Sequence, residues 1–398
     1  MKEGWQTRRL SEVLENTETV NPHDFPNTEF DYIDVSSISN TTFEIAATQS
    51  LKGKDAPSRA RKLVRANDVL FATIRPTLRR ISLVPERLDR QVCSTGYFVL
   101  RPKEGIDQRF IFYFLFTEDF LGQMERLQKG ASYPAVTDGD VRSQEISFPP
   151  LPEQHRIVAL LDEAFAGLAI AKSNAEQNLQ NARALFESHL QSVFSDRGEG
   201  WVEKRIEEWC DSVMDCVNKT APVVEGPTPF KMIRTTNVRN GRVDVSTVRF
   251  VTEEIYKIWT RRQIPQKGDV ILTREAPMGE VGMLLTNDKV FLGQRLVSYR
   301  VNSAKLDNQF LLFALQSADL QGQIHAKASG STVQHMRVPD TKNLLLAAPP
   351  LTTQRQVVEH LVSLREETQH LTRLYERKLA ALEVLKKSLL HQAFNGEL

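Results

Sequence analysis

A heptad seam near the end of the chain limits what this sequence can fold into. From Val357, apolar residues recur on steps of three and four through Leu361, Leu364, Leu371, Tyr375, Leu382, Leu385 and Leu389, with Thr368 and Lys378 breaking the set. A seam sustained over several heptads is the signature of one helix lying along another. The stretch 352–394 is roughly 64 Å long at about 1.5 Å per residue. A helix of that length needs tertiary packing to be stable in water. Its partner stands earlier in the chain. Residues 152–194 carry a second seam of Leu161, Phe165, Leu168, Ala175, Leu179, Ala182, Phe186 and Val193.

The two stretches align without a gap at an offset of 200 residues. Pro149-Pro150-Leu151 matches Pro349-Pro350-Leu351, Gln154 matches Gln354, and Leu190 and Phe194 match Leu390 and Phe394. Repetition on this scale sets the architecture. The expected fold is α+β (mixed α/β): two similar globular units and two long antiparallel helices forming a coiled coil, with internal pseudo-twofold symmetry. The expected boundaries are 1–150 for the first globular unit, 151–195 for the first long helix, 196–350 for the second unit and 351–398 for the second helix. Joined this way, the chain start should lie near the end of the second helix.

Within each unit the copies run in the same order. Gly4-Trp5 with Arg9–Leu14, and Gly200-Trp201 with Arg205–Trp209, predict a short opening helix. Asp31–Val35 predicts a strand. Asp68–Thr73, Ile81–Val84 and Gly96–Leu100 predict strands of one sheet, as do Asp269–Thr273, Val281–Leu285 and Leu296–Tyr299. One helix follows in each copy, over 106–120 and 306–320. Small polar loops come next, at 129–133 and 329–332. The Pro-Pro pairs stop the last strand, since proline lacks the ladder N–H, and Pro152 suits a first helical turn. In the second copy Thr353 and Gln356 can form a capping box instead.

With 398 residues, two or three domains are expected. No apolar run is long enough to span a bilayer and Met1–Trp5 is no signal peptide, so a cytoplasmic protein is expected. Cys93, Cys210 and Cys216 form no disulfide framework or zinc pattern. There is no Walker A loop, dinucleotide fingerprint or Gly-x-Ser-x-Gly elbow. Phe148 and Ala348 precede the Pro-Pro pairs and leucines follow, so the Asn-Pro-Pro-Tyr type motif of amino-methylating enzymes is absent. No catalytic residue is expected in this chain.

The net charge of +1 hides segregation. Residues 1–51 hold three Lys/Arg against nine Asp/Glu, whereas 52–103 hold thirteen against four and 231–300 thirteen against seven. Two basic islands, one per repeat, suit a polyanion gripped at two places. Nucleic-acid readout needs guanidinium, amide and hydroxyl groups on loops. In the first unit the candidates are Arg59, Arg61, Lys62, Arg65, Arg75, Arg79, Arg80, Lys129, Ser132 and Tyr133. In the second they are Arg234, Asn237, Arg239, Arg261, Arg262, Arg274, Gln294, Arg295, Lys327, Ser331, Gln334 and His335. The copies share their skeleton but not these loops, so they should read two different short sequences. A coiled-coil scaffold that assembles proteins without reading DNA is the alternative. It explains the helices but not the basic islands.

The arrangement resembles the specificity subunits of type I restriction-modification systems over essentially the whole chain. The resemblance is carried by the two Pro-Pro-Leu-x-x-Gln stretches, by Ile74-Arg75-Pro76, by Cys93–Tyr97, by the Thr273–Gly279 turn and by the terminal Ala393–Leu398. It implies that the globular units are target recognition domains, each reading half of a split site in double-stranded DNA. It implies that the long helices dock two methyltransferase subunits, with restriction subunits joining through the complex. It also implies that S-adenosylmethionine, ATP and Mg belong to those partners and that this chain holds no cofactor.

Overall fold

The computed structural model describes residues 4–329 and 334–398. The chain divides into two compact units, one of Met1–Glu176 with Glu376–Leu398 and one of Gln177–Tyr375. Each unit therefore contains part of both long helices. The helices are unbroken, Leu151–Ser195 and Leu351–Asn395, each of 45 residues. The first helix has the expected bounds 151–195, and the second ends three residues before the expected 398; the seams at 152–194 and 352–394 lie one residue inside each end. Thr353 lies inside the first turn, because the amide of Gln354 already bonds the Pro350 carbonyl at 3.1 Å, so it caps nothing.

In the first unit Arg156 reaches the Leu398 carbonyl at 2.7 Å and Lys172 reaches Glu383 at 2.8 Å. Residue numbers rise along one helix and fall along the other, so the pair is antiparallel. In the second unit His189 meets His360 at 4.7 Å between ring centroids, and Arg365 lies over Phe186 at 5.0 Å. That pair is antiparallel as well.

Each globular part is a set of small mixed sheets. The first unit pairs Val69–Ala72 with Ile81–Leu83 and Tyr97–Leu100, as the sequence predicts. A second sheet runs in the order Gln49–Lys52, Glu29–Ile33, Val92–Ser94, Ala60–Leu63, with its middle pair parallel. In the second unit, Val270–Arg274 sits between Met278–Met283 and Leu296–Val301 in a six-stranded sheet.

The short opening helices are present, as one α-helical turn at Leu10–Val13 and a 3-10 turn at Ile206–Trp209. The sequence gives no sign of the strand before each: Gln6–Arg9 pairs with Glu145–Phe148, and Val202–Arg205 with Leu345–Ala348. One expectation is corrected. The single helix expected before the polar loop is two helices, Gln108–Phe114 with Glu118–Leu127, and Asn308–Gln316 with Ala318–Ala326. The break falls at Thr117 and Ser317. Both adopt extended backbone and accept a bond from the amide three residues on, through the side-chain oxygen. That is N-cap behaviour, which competes with helix continuation.

The core of each unit is closed by the end of a long helix. Leu390 and Ala393 are buried in the first core with Ile157 and Leu161, and Trp5, Phe394 and Leu398 pack against it. Chain start and second-helix end thus share one core, as expected. Leu190 and Phe194 are buried in the second core with Leu361, and Trp201 packs against it. Phe394 meets Phe110 at 4.7 Å, and Phe194 meets Phe310 at 5.2 Å.

Where sheet becomes helix, one buried amide ties three segments together. Gln154 is 0% exposed. Its oxygen accepts the Asp107 N–H at 2.9 Å, and its nitrogen donates to the carbonyls of Pro149 at 2.9 Å and Gly105 at 3.1 Å. Gln354 makes the same three bonds, to Asp307, Pro349 and Lys305, at 2.8, 2.8 and 3.0 Å. Asp107 and Asp307 in turn cap the next helix. A Gln154→Ala change would leave one buried N–H and two carbonyls without partners. It is expected to cost about 2–4 kcal/mol, and Gln354→Ala a similar amount. Urea titration of the two variants checks this; an unchanged midpoint in either would contradict it.

Candidate nucleic-acid interface

In the first unit four loop segments are stitched together by backbone bonds. The Thr73 amide donates to Gly96 at 2.9 Å, and the Thr95 amide to Arg59 at 2.8 Å. The Arg75 amide donates to Pro134 at 2.7 Å, and the Val136 amide to Thr73 at 2.9 Å. These bonds gather Arg59, Arg75, Ser132 and Tyr133. Lys129 joins them through a tight hairpin in which residues 129 and 135 exchange both backbone bonds. Gly130 has φ +101°, and a Cβ there would stand 2.9 Å from the Tyr133 oxygen, so the turn requires glycine.

Arg75 adopts φ 50° immediately before Pro76, a rare backbone state for a side chain of this size. Its guanidinium lies 5.2 Å from the centroid of the Tyr133 ring. Tyr133 is 72% exposed. A cation stacked on an exposed ring offers both a phosphate contact and a surface for a base. Arg59 is exposed as well.

Other first-unit candidates belong to the fold. Lys62 is mostly covered, bonding Asp138 and the Tyr97 carbonyl, each at 2.7 Å. Arg61 donates to the Ala60 carbonyl and Arg80 to the Val35 carbonyl. Arg65 pairs with Glu18. Arg79, exposed and also left-handed, stands 4.0 Å from Glu118.

In the second unit the Arg274 amide donates to the Arg295 carbonyl at 2.8 Å, and the Arg274 guanidinium to the Met336 carbonyl at 2.8 Å. Arg295 is exposed and pairs with Glu275 at 3.2 Å, while Glu275 bridges to His335. The neighbouring Gln294 is exposed and accepts from Thr220 at 3.4 Å. Gly293 bonds the Ile233 carbonyl, which places the half-buried Arg234 beside this loop. Arg274, Gln294, Arg295, Arg234 and His335 thus come together, with the exposed Gln334 next to His335.

Asn237 does not join them. It is 2% exposed, its oxygen holds the Arg234 amide and its nitrogen reaches Thr247. Arg239 is exposed and faces Glu280 at 3.5 Å. Arg261 is exposed on a turn whose next residue, Arg262, is held by Asp215 and Cys216. Lys327 ends the helix Ala318–Ala326 and is half-buried. Ser331 lies outside the described residues. Thr220, and Ser329 with its bond to His335 at 3.2 Å, are neighbours that the sequence did not single out; being neutral, they gave no charge signal.

Strand pairing aligns the two sites. Thr73 and Gly96 occupy the places of Arg274 and Arg295, since each pair makes the same backbone bond beside matching strands. Arg75 then matches Ala276, which has φ 51° and likewise precedes a proline. The two units therefore put their arginines at different places on one skeleton.

Burial pushes the thiols of Cys93 and Cys210 up to about 12, so both stay protonated at neutral pH. Among the described residues there is no group of three or more His, Cys, Asp or Glu side chains placed to hold a metal. No helix among them is long and apolar enough to cross a membrane.

Two like-built units, each presenting a distinct cluster of basic and amide side chains and each resting on paired segments of two long helices, define a duplicated DNA-specificity fold. The chain belongs to the family described as the type I restriction modification DNA specificity domain, whose model matches residues 2–181 and again 198–380. It is 24% identical to the EcoKI specificity subunit of Escherichia coli, over 77% of this chain and 69% of that one. It is equally 24% identical to the MjaVIII specificity subunit of Methanocaldococcus jannaschii, over 77% of this chain and 74% of that one. The HsdS subunit from Thermoanaerobacter tengcongensis superimposes with a TM-score of 0.73 at 29% identity, covering 100% of this chain and 98% of that one. A chain from a structure on complex assembly and conformational transition of the type I R-M system gives 0.83 at 29% identity, covering 100% and 99%.

Tyr133→Ala is expected to weaken duplex binding without moving the melting temperature, since the ring is solvent-facing. Asn237→Ala should do the reverse, lowering stability by about 1–3 kcal/mol through the unpaired Arg234 amide. Paired melting and binding measurements on the two variants check this.

Proposed function

We propose that this chain is the DNA-reading subunit of a type I restriction-modification complex. Each globular unit reads one half of a split site in duplex DNA. The long helices dock two methyltransferase subunits, and restriction subunits join through the complex. The observation that carries this reading is the placement of Arg75, Arg274 and Arg295. One skeleton presents guanidinium groups at non-equivalent positions in its two copies, so the copies contact different atoms of a duplex. Guanidinium groups on loops fixed by backbone bonds can reach guanine edges bidentately, and amides such as Gln294 can do the same with adenine.

The chain itself is the non-catalytic member. The thiols of Cys93 and Cys210 are protonated, and its exposed arginines serve as contacts. Methyl transfer from S-adenosylmethionine to a flipped adenine, and cleavage driven by ATP with Mg, fall to the partners. The reading places the complex in the cytoplasm, where host DNA is.

The binding of a random-sequence duplex should fall steeply with salt, as phosphate contacts release counterions. A flat salt response would instead favour a protein-assembling scaffold. Arg295→Ala should cost about 1–3 kcal/mol and relax one half-site only. A uniform loss on all sequences would mark it as a phosphate contact. Removing one heptad from both long helices, about 10 Å of rise, should shorten the accepted gap between half-sites or abolish binding. An unchanged gap would show that helix length does not set it.

A further inference from the structure

The two helix pairings use related but exchanged chemistry. In the second unit the guanidinium of Arg365, on the second long helix, lies over Phe186 of the first long helix at 5.0 Å and over Phe313 at 4.3 Å. In the first unit the equivalent positions are Phe165 and Lys386. There the ammonium of Lys386 lies 5.3 Å from Phe165 and 5.3 Å from Phe43. The same cation–aromatic contact is made twice, with the cation always supplied by the second helix and the aromatic ring always by the first. A second site behaves in the same sense. Lys172 pairs with Glu383 at 2.8 Å, whereas the equivalent residues Thr372 and Arg183 line one cavity of the second unit.

Because the helices are equivalent at an offset of 200, either half of the chain could pair its long helix with that of a second identical half. Such pairing changes every contact named above. Two second halves would set Arg365 against Lys386, twice over, at a position already screened from water by aromatic rings. Burial already pushes Arg365 below its ordinary value and Arg242 adds to that, and burial lowers Lys386 in the same way. Two first halves would set Phe165 against Phe186, which is harmless, but Lys172 against Arg183, which is not. Only the pairing of a first half with a second half gives cation on ring at both sites and cation on carboxylate at the third. Like charges brought together in a poorly solvated contact discriminate against a partner more strongly than attraction selects for one.

We infer that Phe165, Lys172 and Phe186 on the first long helix, with Arg365, Glu383 and Lys386 on the second, form a pairing code. It fits each half of the chain to the other half and rejects a second copy of the same half, most strongly for the second half. The partner recognised is therefore the complementary helix of this chain.

Full-length variants test the contacts and their logic. Phe186→Lys recreates the Arg–Lys juxtaposition of second-half self-pairing and should lower the melting temperature by about 2–4 °C. Arg365→Phe should be tolerated. F186K/R365F, which restores cation on ring with the helices exchanged, should return close to the parent. An additive double variant would overturn the code. Partner choice is read on the full chain carrying a protease site in the 196–200 loop and cut while folded. Cut protein is mixed with an isotope-labelled cut copy, exchanged in mild denaturant, and weighed by native mass spectrometry. Only first-with-second assemblies are expected. R365F/K386F, which removes both opposed cations, should admit second-with-second assemblies. Self-paired second halves from the parent, or no gain of them in the double variant, would overturn the inference.

Discussion

The rest of the structure depends on a buried glutamine amide at the joint between sheet and long helix. Gln154 and Gln354 each spend one oxygen and both amide hydrogens on three backbone groups from two other segments. One of those segments is the end of the last strand and the other is the cap of the next helix. A carboxylate could not replace the amide, because it would face two carbonyls with no proton to give. The prolines before it supply what the amide needs. Pro149 and Pro349 offer their carbonyls with no N–H to satisfy. The helix therefore leaves the last strand at a fixed place in each unit.

From that joint the two units diverge outward. Interior positions keep their chemistry: the Asp68–Arg101 pair reappears as Asp269–Arg300, each two-pronged and largely buried. Cap residues keep theirs, with Thr117 and Ser317 breaking equivalent helices. At the loops the skeleton stays and the side chains change, so Arg75 is replaced by Ala276 in the other copy and Arg274 by Thr73. This gradient is what a duplicated reader of two unlike half-sites requires. The backbone must hold the loops to a fraction of an ångström in both copies, while the groups presented to a base edge must differ. In the helix pairing, cation and ring are divided between the helices, which keeps the halves complementary.

Much of this was legible in the sequence, and each failure has a physical reason. The long helices were readable to within three residues because seam, proline and repeat all point the same way. The sheet strands 69–72 and 97–100 were readable because both faces are apolar. Gln6–Arg9 was not readable as a strand: all four side chains are exposed, and its pairing is carried by backbone alone. The breaks at Thr117 and Ser317 lie in otherwise apolar helical patterns and show only once cap geometry is seen. At the candidate interface, Arg59, Arg75, Arg295 and Gln294 are exposed on loops. Lys62 and Asn237 look the same in sequence but are committed to the fold, Lys62 by Asp138 far along the chain and Asn237 by Arg234 and Thr247 within its own loop. Only the folded backbone reveals such commitments.

The most direct measurement is the map of methylated adenines in a host genome, compared with and without this gene. Two differently armed units on one subunit predict a motif in two short parts of unrelated sequence, separated by a gap of fixed length. A continuous motif, or two halves that are inverted copies of each other, would contradict the claim that the units read different sequences.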